Sequence, residues 1–184
     1  MAMNNITIIT SDNVSMSVPA SLVKFSETLR GMLEDIDSTD FSIPLPNINS
    51  TVLQKIVMWC EHHSEDVFEE EPPIVHNEER KTKSIKDQWD ADFLVNETNV
   101  QLMELVNGTN YLDIKPLYYL GCYQFSLRIR KTALKCQTSD DDSRATFFAE
   151  FSDIGITDDL TAEQKAKLET EDDWRYPKKK TVIA

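Results

Sequence analysis

Apolar residues recur at every second position near the start of the chain. Ile6 and Ile8 show this spacing first, and Val14, Met16 and Val18 repeat it after the turn-forming sequence SDN. A two-residue period is typical of strands that bury one face. The pattern therefore predicts a β-hairpin at the N-terminus.

A helical period replaces this alternation after Pro19, a residue that is compatible with a helix start. The apolar residues that carry the new period are Leu22, Phe25, Leu29, Met32 and Leu33. They lie three, four or seven positions apart, as neighbours on one side of a helix do. The spacing predicts either one helical face or two short helices that meet near Ser26.

A short strand and a capped helix are predicted next. Phe41 to Leu45 has strand character, and Pro44 and Pro46 either confine this strand to a sheet edge or end it abruptly. Asn49 or Ser50 can cap the helix that follows. The apolar positions of that helix keep the helical period and are Leu53, Ile56, Val57 and Cys60.

The middle of the chain is polar and then becomes helical again. Residues 64–86 are rich in charge and contain Pro72 and Pro73, so they offer too little apolar surface to offset the cost of ordering them. We predict a mobile loop there. Thr98 and Gln101 then have the spacing of a capping box, which predicts a helix over residues 99–107, closed by Gly108.

The sequence NYLDIKPLYYLGCYQFSLRI, residues 110–129, carries more apolar surface than one core face requires. Asp113 is a plausible cap, and Pro116 fits the first turn of a helix. A helical arrangement places Leu117, Leu120 and Leu127 on one side and Tyr118, Cys122, Phe125 and Ile129 on another, with Tyr119 and Tyr123 widening the band. A surface helix needs only one apolar stripe. This helix is therefore either fully buried or offers its second side to a partner.

The remaining residues, 131–184, have the character of a separate helical extension. Phe147, Phe148 and Phe151 lie on one predicted helix, and Thr161 with Gln164 repeats the capping-box spacing. Few apolar residues follow before Trp174. We expect this extension to be held loosely until a partner covers it.

Composition limits the classes of partner. The chain has 184 residues, 40% of them hydrophobic, which is enough for one ordinary core. Its net charge of −13 should repel nucleic acid and anionic membranes. We expect a soluble, non-secreted protein of the cytoplasm and nucleus, because there is no signal-like or membrane-spanning stretch and the three scattered cysteines suit a reducing compartment.

No residue pattern indicates catalysis. Cys60, His62 and His63 could contribute to a zinc site, but the chain offers no second ligand pair at a recognisable spacing, so we favour a helix end whose histidines face the negative pole of the helix. Phosphate-binding glycine loops and nucleophile elbows are also missing from the sequence. We expect no catalytic residue, no bound metal and no cofactor.

Several segments, in this order and spacing, resemble the S-phase kinase-associated protein 1 family, the adaptor subunits of SCF ubiquitin ligases. They are ITSDNVSMSVP, MLED, IPLPNINSTVLQKIVMWCEHHSED, WDADFLV and ELVNGTNYLDIKPL, and they cover Ile6 to about Leu117. The resemblance implies an α+β BTB/POZ fold, a small three-stranded sheet packed by helices, over residues 1–130. It further implies an F-box-binding helical extension over residues 131–184.

The resemblance also implies two sets of binding residues and a non-enzymatic role. The adaptor would bridge a cullin to F-box proteins for ubiquitin-dependent proteolysis, and would meet a RING subunit and a ubiquitin-conjugating enzyme only indirectly. The implied cullin-binding residues are Asn110, Tyr111, Pro46, Asn47 and Ile48. The implied F-box-binding residues are Leu117, Tyr118, Cys122, Phe125, Ile129, Phe147, Phe148 and Trp174.

Departures from the family pattern lie on the F-box side. Pro116 replaces the usual glycine, and QTSDDD stands where the family has KTPEE, so the proline that some members hydroxylate is missing. We therefore expect a divergent paralogue with a restricted or altered set of F-box partners, forming a weak homodimer when no F-box is bound. The alternative hypothesis is a structural or self-assembling BTB scaffold that acts outside the ligase.

Overall fold

The computed structural model describes residues 5–19, 21–34, 42–68, 88–135, 141–164 and 167, with the side chains of 135 and 141–144 left out. Several predictions fall outside these residues. They concern Phe41 at the start of the third strand, residues 69–86 of the predicted loop, and Trp174.

The N-terminal hairpin is present. Strands β1 (Asn5–Thr10) and β2 (Ser15–Pro19) pair antiparallel, with Ile6 opposite Val18. Asn13 in the connecting turn has a φ of 60°, a left-handed conformation that asparagine tolerates better than most residues. The predicted hairpin is therefore confirmed.

A third strand completes the sheet of the described region. Strand β3 (Ser42–Leu45) pairs parallel with β1, which gives the strand order β2-β1-β3. Pro44 lacks a backbone donor and is tolerated because β3 lies at the edge. The predicted edge strand is confirmed.

Two short helices, α1 (Ser21–Phe25) and α2 (Glu27–Glu34), fill the connection between β2 and β3. The break between them lies at Ser26, which is buried. Its hydroxyl donates a hydrogen bond to the Leu112 carbonyl at 2.6 Å and accepts one from the Leu29 amide at 3.1 Å. The spacing allowed one helical face or two short helices. The structure has two helices, which meet at Ser26.

Helix α3 (Ser50–His62) crosses the core. Asn49 caps it, because its side-chain oxygen accepts a hydrogen bond from the Val52 amide at 2.9 Å. The residues of the predicted apolar face are buried or half-buried, and the fully buried ones are Leu53, Ile56 and Cys60. Both the cap and the apolar face are confirmed.

Helices α4 (Gln88–Phe93) and α5 (Asn99–Tyr111) follow. The capping box at the start of α5 is formed by Thr98 and Gln101. The predicted end at Gly108 is wrong, because the helix continues to Tyr111. Gly108 instead faces α3, where a Cβ atom would lie 2.9 Å from Val52 Cγ1. The glycine allows two helices to approach closely and does not terminate one.

Helix α6 (Lys115–Lys135) is the longest of the described helices. Pro116 lies in its first turn, as predicted, but the predicted cap Asp113 stands one residue too early and has a φ of 50°. Leu117 and Leu120 are buried, whereas Leu127, assigned to the same side, is 36% exposed. The helix crosses residue 130 without interruption, so the domain boundary there stays a prediction.

Within the predicted extension, the end of α6 is followed by helix α7 (Asp141–Phe151) and a single 3-10 turn, Ser152–Ile154. Further along, Thr161 and Gln164 form the second predicted capping box, with bonds of 2.8 and 3.2 Å. Among the described helices, none has the length and apolar character needed to cross a bilayer.

Packing between α5 and α6 can be tested at Gly121. A Cβ atom there would lie 2.7 Å from Val106 Cγ2 on α5. We expect Gly121→Ala to lower the free energy of unfolding by about 1 kcal/mol, because overpacking outweighs the helix propensity that alanine adds. Urea unfolding followed by circular dichroism would measure this.

Gly31 on α2 is the matched control, because no atom lies within 4 Å of the position of its added Cβ. Gly31→Ala should raise the free energy of unfolding by about 0.5–1 kcal/mol. Equal effects of the two substitutions would show that α5 and α6 are not closely packed at Gly121.

Candidate functional site: two partner-binding surfaces

The first candidate surface lies at the end of α5 and is called the helix-end patch, defined by Asn110 and Tyr111. Asn110 is exposed, and Tyr111 is half-buried against the core. The backbone of this patch is held by two hydrogen bonds, one from Thr28 of α2 and one from Ser26, the residue before α2. Thr28 Oγ1 donates to the Tyr111 carbonyl at 3.0 Å, and Ser26 bonds to Leu112. The patch is thus exposed but held in place.

The turn between β3 and α3 carries the other residues assigned to the cullin side. Pro46 and Asn47 are exposed. Ile48 is 1% exposed and lies against the Gly108 position, where an added Cβ would be 3.9 Å from its Cγ1. The surface contact implied for Ile48 is therefore wrong, because its side chain belongs to the core. It anchors the turn beside the end of α5.

A carboxylate fastens this turn to the N-terminal hairpin. The Ser50 hydroxyl donates to Asp12 Oδ2 at 2.5 Å, and the Ser50 amide donates to Asp12 Oδ1 at 3.0 Å. The bonds from the Ser50 hydroxyl and then from Thr10 hold the pKa of the Asp12 carboxyl below its usual value. The ionised form of Asp12 is therefore the one that holds the start of α3.

This attachment predicts a pH dependence. Because the pKa of Asp12 is lowered in the folded state, its contribution to stability is present above the ordinary aspartate pKa and is lost as the pH falls through the folded value. Asp12→Asn should therefore lower the melting temperature at pH 7 and make little difference at strongly acidic pH. Melting curves of both proteins from pH 2 to pH 7 would measure the gap.

Asp153→Asn removes an exposed carboxylate from the 3-10 turn and serves as the control. Its melting temperature should follow that of the wild type more closely at every pH. A constant gap between Asp12→Asn and the wild type across the whole range would rule out the proposed role of the Asp12 carboxylate.

The second candidate surface is called the aromatic groove. The name stands for the half-buried residues of α6 and α7 that were assigned to the F-box side, namely Tyr118, Cys122, Phe125, Ile129, Phe147 and Phe148. The pKa of Tyr118 is raised chiefly by its hydrogen bond with Cys122. Leu117, assigned to the same surface, is 0% exposed, so a direct contact between its side chain and a partner is excluded in this structure. The assignment of the other described residues stays a prediction.

Phe151 organises the groove, although the sequence did not assign it to a site. It is 0% exposed, and its ring centroid lies 6.3 Å from that of Phe125 and 5.3 Å from that of Phe147. Phe148 in turn meets Phe147 edge to face at 5.4 Å. The signal was the spacing of four residues between Phe147 and Phe151, which places both on one side of α7.

The histidines at the end of α3 are used in packing. His63 is 1% exposed, with Nε2 2.9 Å from Asp90 Oδ1 and Nδ1 2.6 Å from Asp66 Oδ2. His62 stacks on Trp89 at 3.9 Å, and burial raises the pKa of the Cys60 thiol. Within the described ranges no cluster of three or more potential metal ligands occurs. His62 lies in the last turn of α3 and His63 caps it, so both histidines are at the helix end, as the sequence predicted.

Comparison with known proteins places this chain in a family. The sequence profile of the Skp1 family, tetramerisation domain, matches residues 4–74. Suppressor of kinetochore protein 1 of Schizosaccharomyces pombe is 36% identical over 176 residues, which cover 94% of this chain and 98% of that protein. The chain belongs to the Skp1 family.

Other Skp1 relatives have similar coverage. The E3 ubiquitin ligase complex SCF subunit sconC of Arthroderma benhamiae is 33% identical over 177 residues, 94% of this chain and 96% of that protein. The protein of the same name from Aspergillus fumigatus is 33% identical over 172 residues, 94% and 98% of the two chains. The family resemblance and the α+β BTB/POZ fold expected from the sequence are thus confirmed.

Proposed function

We propose that this Skp1-family chain is the adaptor subunit of an SCF-type cullin-RING E3 ubiquitin ligase. It bridges a cullin scaffold to F-box substrate receptors for ubiquitin-dependent proteolysis. The observation that carries the proposal is the similarity, over 94% of the chain, to proteins named as SCF subunits. The presence of two separate candidate surfaces in one chain supports it further, since a bridging subunit needs two.

The helix-end patch is the proposed cullin surface. It offers an exposed amide at Asn110 and a half-buried aromatic side chain at Tyr111, a combination that suits a polar interface with one aromatic anchor. Pro46 and Asn47 extend this surface from the neighbouring turn. Because its backbone is fixed from below, the patch can bind with little loss of conformational entropy.

The aromatic groove is the proposed F-box surface. Its half-buried aromatic side chains can bury the apolar face of an amphipathic helix supplied by the partner. This use also explains why α6 is apolar on more than one side. The adaptor holds its partners in position without performing chemistry, and it reaches a RING subunit and a ubiquitin-conjugating enzyme only through the cullin.

The location and the weaker interactions are also part of the proposal. We place the protein in the cytoplasm and nucleus, and its net charge of −13 argues against nucleic acid or membranes as main partners. Self-association is the second candidate function, because the matched domain is described as a tetramerisation domain. We propose a weak homodimer that dissociates when an F-box binds.

The cullin surface predicts a selective loss of binding. Asn110→Lys places a long charged side chain at the exposed end of α5 and should weaken capture of a purified cullin N-terminal domain about tenfold or more. Capture of an F-box domain should not change. Biolayer interferometry with each partner separately would give both affinities.

Asn96→Lys is the matched control, because Asn96 is exposed and precedes the other end of α5. It makes the same chemical change about 20 Å away along a 13-residue helix. If Asn110→Lys binds the cullin domain as tightly as Asn96→Lys, the helix-end patch is not the cullin surface.

The aromatic groove predicts the opposite selectivity. Phe148→Ala removes a half-buried ring from α7 and should weaken binding of an F-box domain about tenfold or more while leaving cullin binding intact. Met58→Ala, at a side chain that is 50% exposed on α3, controls for the loss of apolar surface elsewhere. Unchanged F-box affinity for Phe148→Ala would exclude α7 from the interface.

Sedimentation velocity across a dilution series separates the two candidate functions. An adaptor should dissociate to monomers on dilution and form a one-to-one complex with an F-box domain. A dimer or tetramer that survives dilution and is not displaced by the F-box domain would favour the self-assembling scaffold.

A further inference from the structure

Helix α7 is joined to the helices of the fold through the side chain of Asn99. Asn99 is the first residue of α5, and its Nδ2 donates a hydrogen bond to the Glu150 carbonyl, near the end of α7, at 2.8 Å. Its Oδ1 accepts a hydrogen bond from Arg128 Nη1 on α6 at 3.1 Å. One amide group therefore connects three helices.

Arg128 is itself held in place. Its second terminal nitrogen, Nη2, donates to the Leu94 carbonyl at 3.0 Å, in the turn after α4. The guanidinium group thus fixes the orientation of the Asn99 amide, because only the oxygen of that amide can accept from it. The nitrogen is left facing Glu150. The direction of the bond to α7 is determined by a residue of α6.

The buried Phe151 adds an apolar attachment beside this polar one. Phe151 follows Glu150 directly and is 0% exposed against Phe125 of α6. The backbone after it turns back, since the Ile156 amide bonds to the Phe151 carbonyl at 3.2 Å. Polar and apolar contacts thus fix the same end of α7.

We propose that Asn99 is a positioning residue that fixes α7 before any partner binds. Phe147 and Phe148 lie within one turn of Glu150, so the bond to the Glu150 carbonyl determines where these two rings stand in the aromatic groove. A partner then meets one wall of the groove already formed, and less conformational entropy is lost on binding. The inference rests on the proposed F-box function, which it deepens by assigning a role to a residue outside the groove.

Asn99→Asp isolates this role. Aspartate keeps the oxygen that accepts from Arg128, but it has no donor for the Glu150 carbonyl. A negative charge at the first position of a helix is favourable, so α5 itself should remain stable. Asn96→Asp, three residues earlier and exposed, adds the same charge without any bond to α7 and is the control.

The first measurement uses the free full-length chain. Hydrogen exchange of the amides in residues 141–151 should be about three- to tenfold faster in Asn99→Asp than in the wild type or in Asn96→Asp, which is the change expected for one lost hydrogen bond. Exchange in α3 and α5 should be unchanged. Equal exchange of residues 141–151 in all three proteins would overturn the inference.

The second measurement uses a purified, fluorescently labelled F-box domain and a purified cullin N-terminal domain. Asn99→Asp should bind the F-box domain about three- to tenfold more weakly and the cullin domain as well as the wild type does. A general loss of structure would weaken the binding of both partners. If the wild type binds both partners and Asn99→Asp matches it, the positioning role is wrong; if the wild type binds neither, the proposed function fails and the inference with it.

Discussion

The close approach of α5 to its two neighbouring helices is the contact on which both candidate surfaces depend. Gly108 of α5 faces Val52 of α3, and Gly121 of α6 faces Val106 of α5, with room at neither place for a side chain without rearrangement. Close packing of this kind resists small changes of volume. Helix α5 is thus fixed between α3 and α6, and groups attached to its ends have fixed positions.

The two ends of α5 serve different surfaces. Its last residues form the helix-end patch, and Asn99 at its start holds the helix that lines the aromatic groove. A 13-residue helix spans about 20 Å, so the two surfaces are supported from opposite ends of one rigid element. This arrangement suits a subunit that must hold two partners at once at a defined separation.

The sequence correctly predicted the features that depend on residues close together in the chain. The hairpin, the caps at Asn49 and Thr98, and the break at Ser26 follow from local period and side-chain chemistry. The predictions were wrong where a contact with a residue distant in the chain determines the structure. Gly108 is the residue type that often ends a helix, but it packs against Val52, and Ile48 and Leu117 are buried in the core although they lie in motifs assigned to binding surfaces. The bonds of Asn99 could not be read from spacing, because they join three helices.

The hydroxyl groups of Ser26 and Thr28 bind the carbonyls of Leu112 and Tyr111, which lie 86 and 83 residues later in the chain. Contacts of such long range form late, because the intervening chain must first be brought together. During synthesis, α1 and α2 therefore emerge before the carbonyl groups of Tyr111 and Leu112 have been made. The turn that carries the helix-end patch takes its final shape only after α5 has joined them, so a chain released before Leu112 lacks part of the framework of this surface.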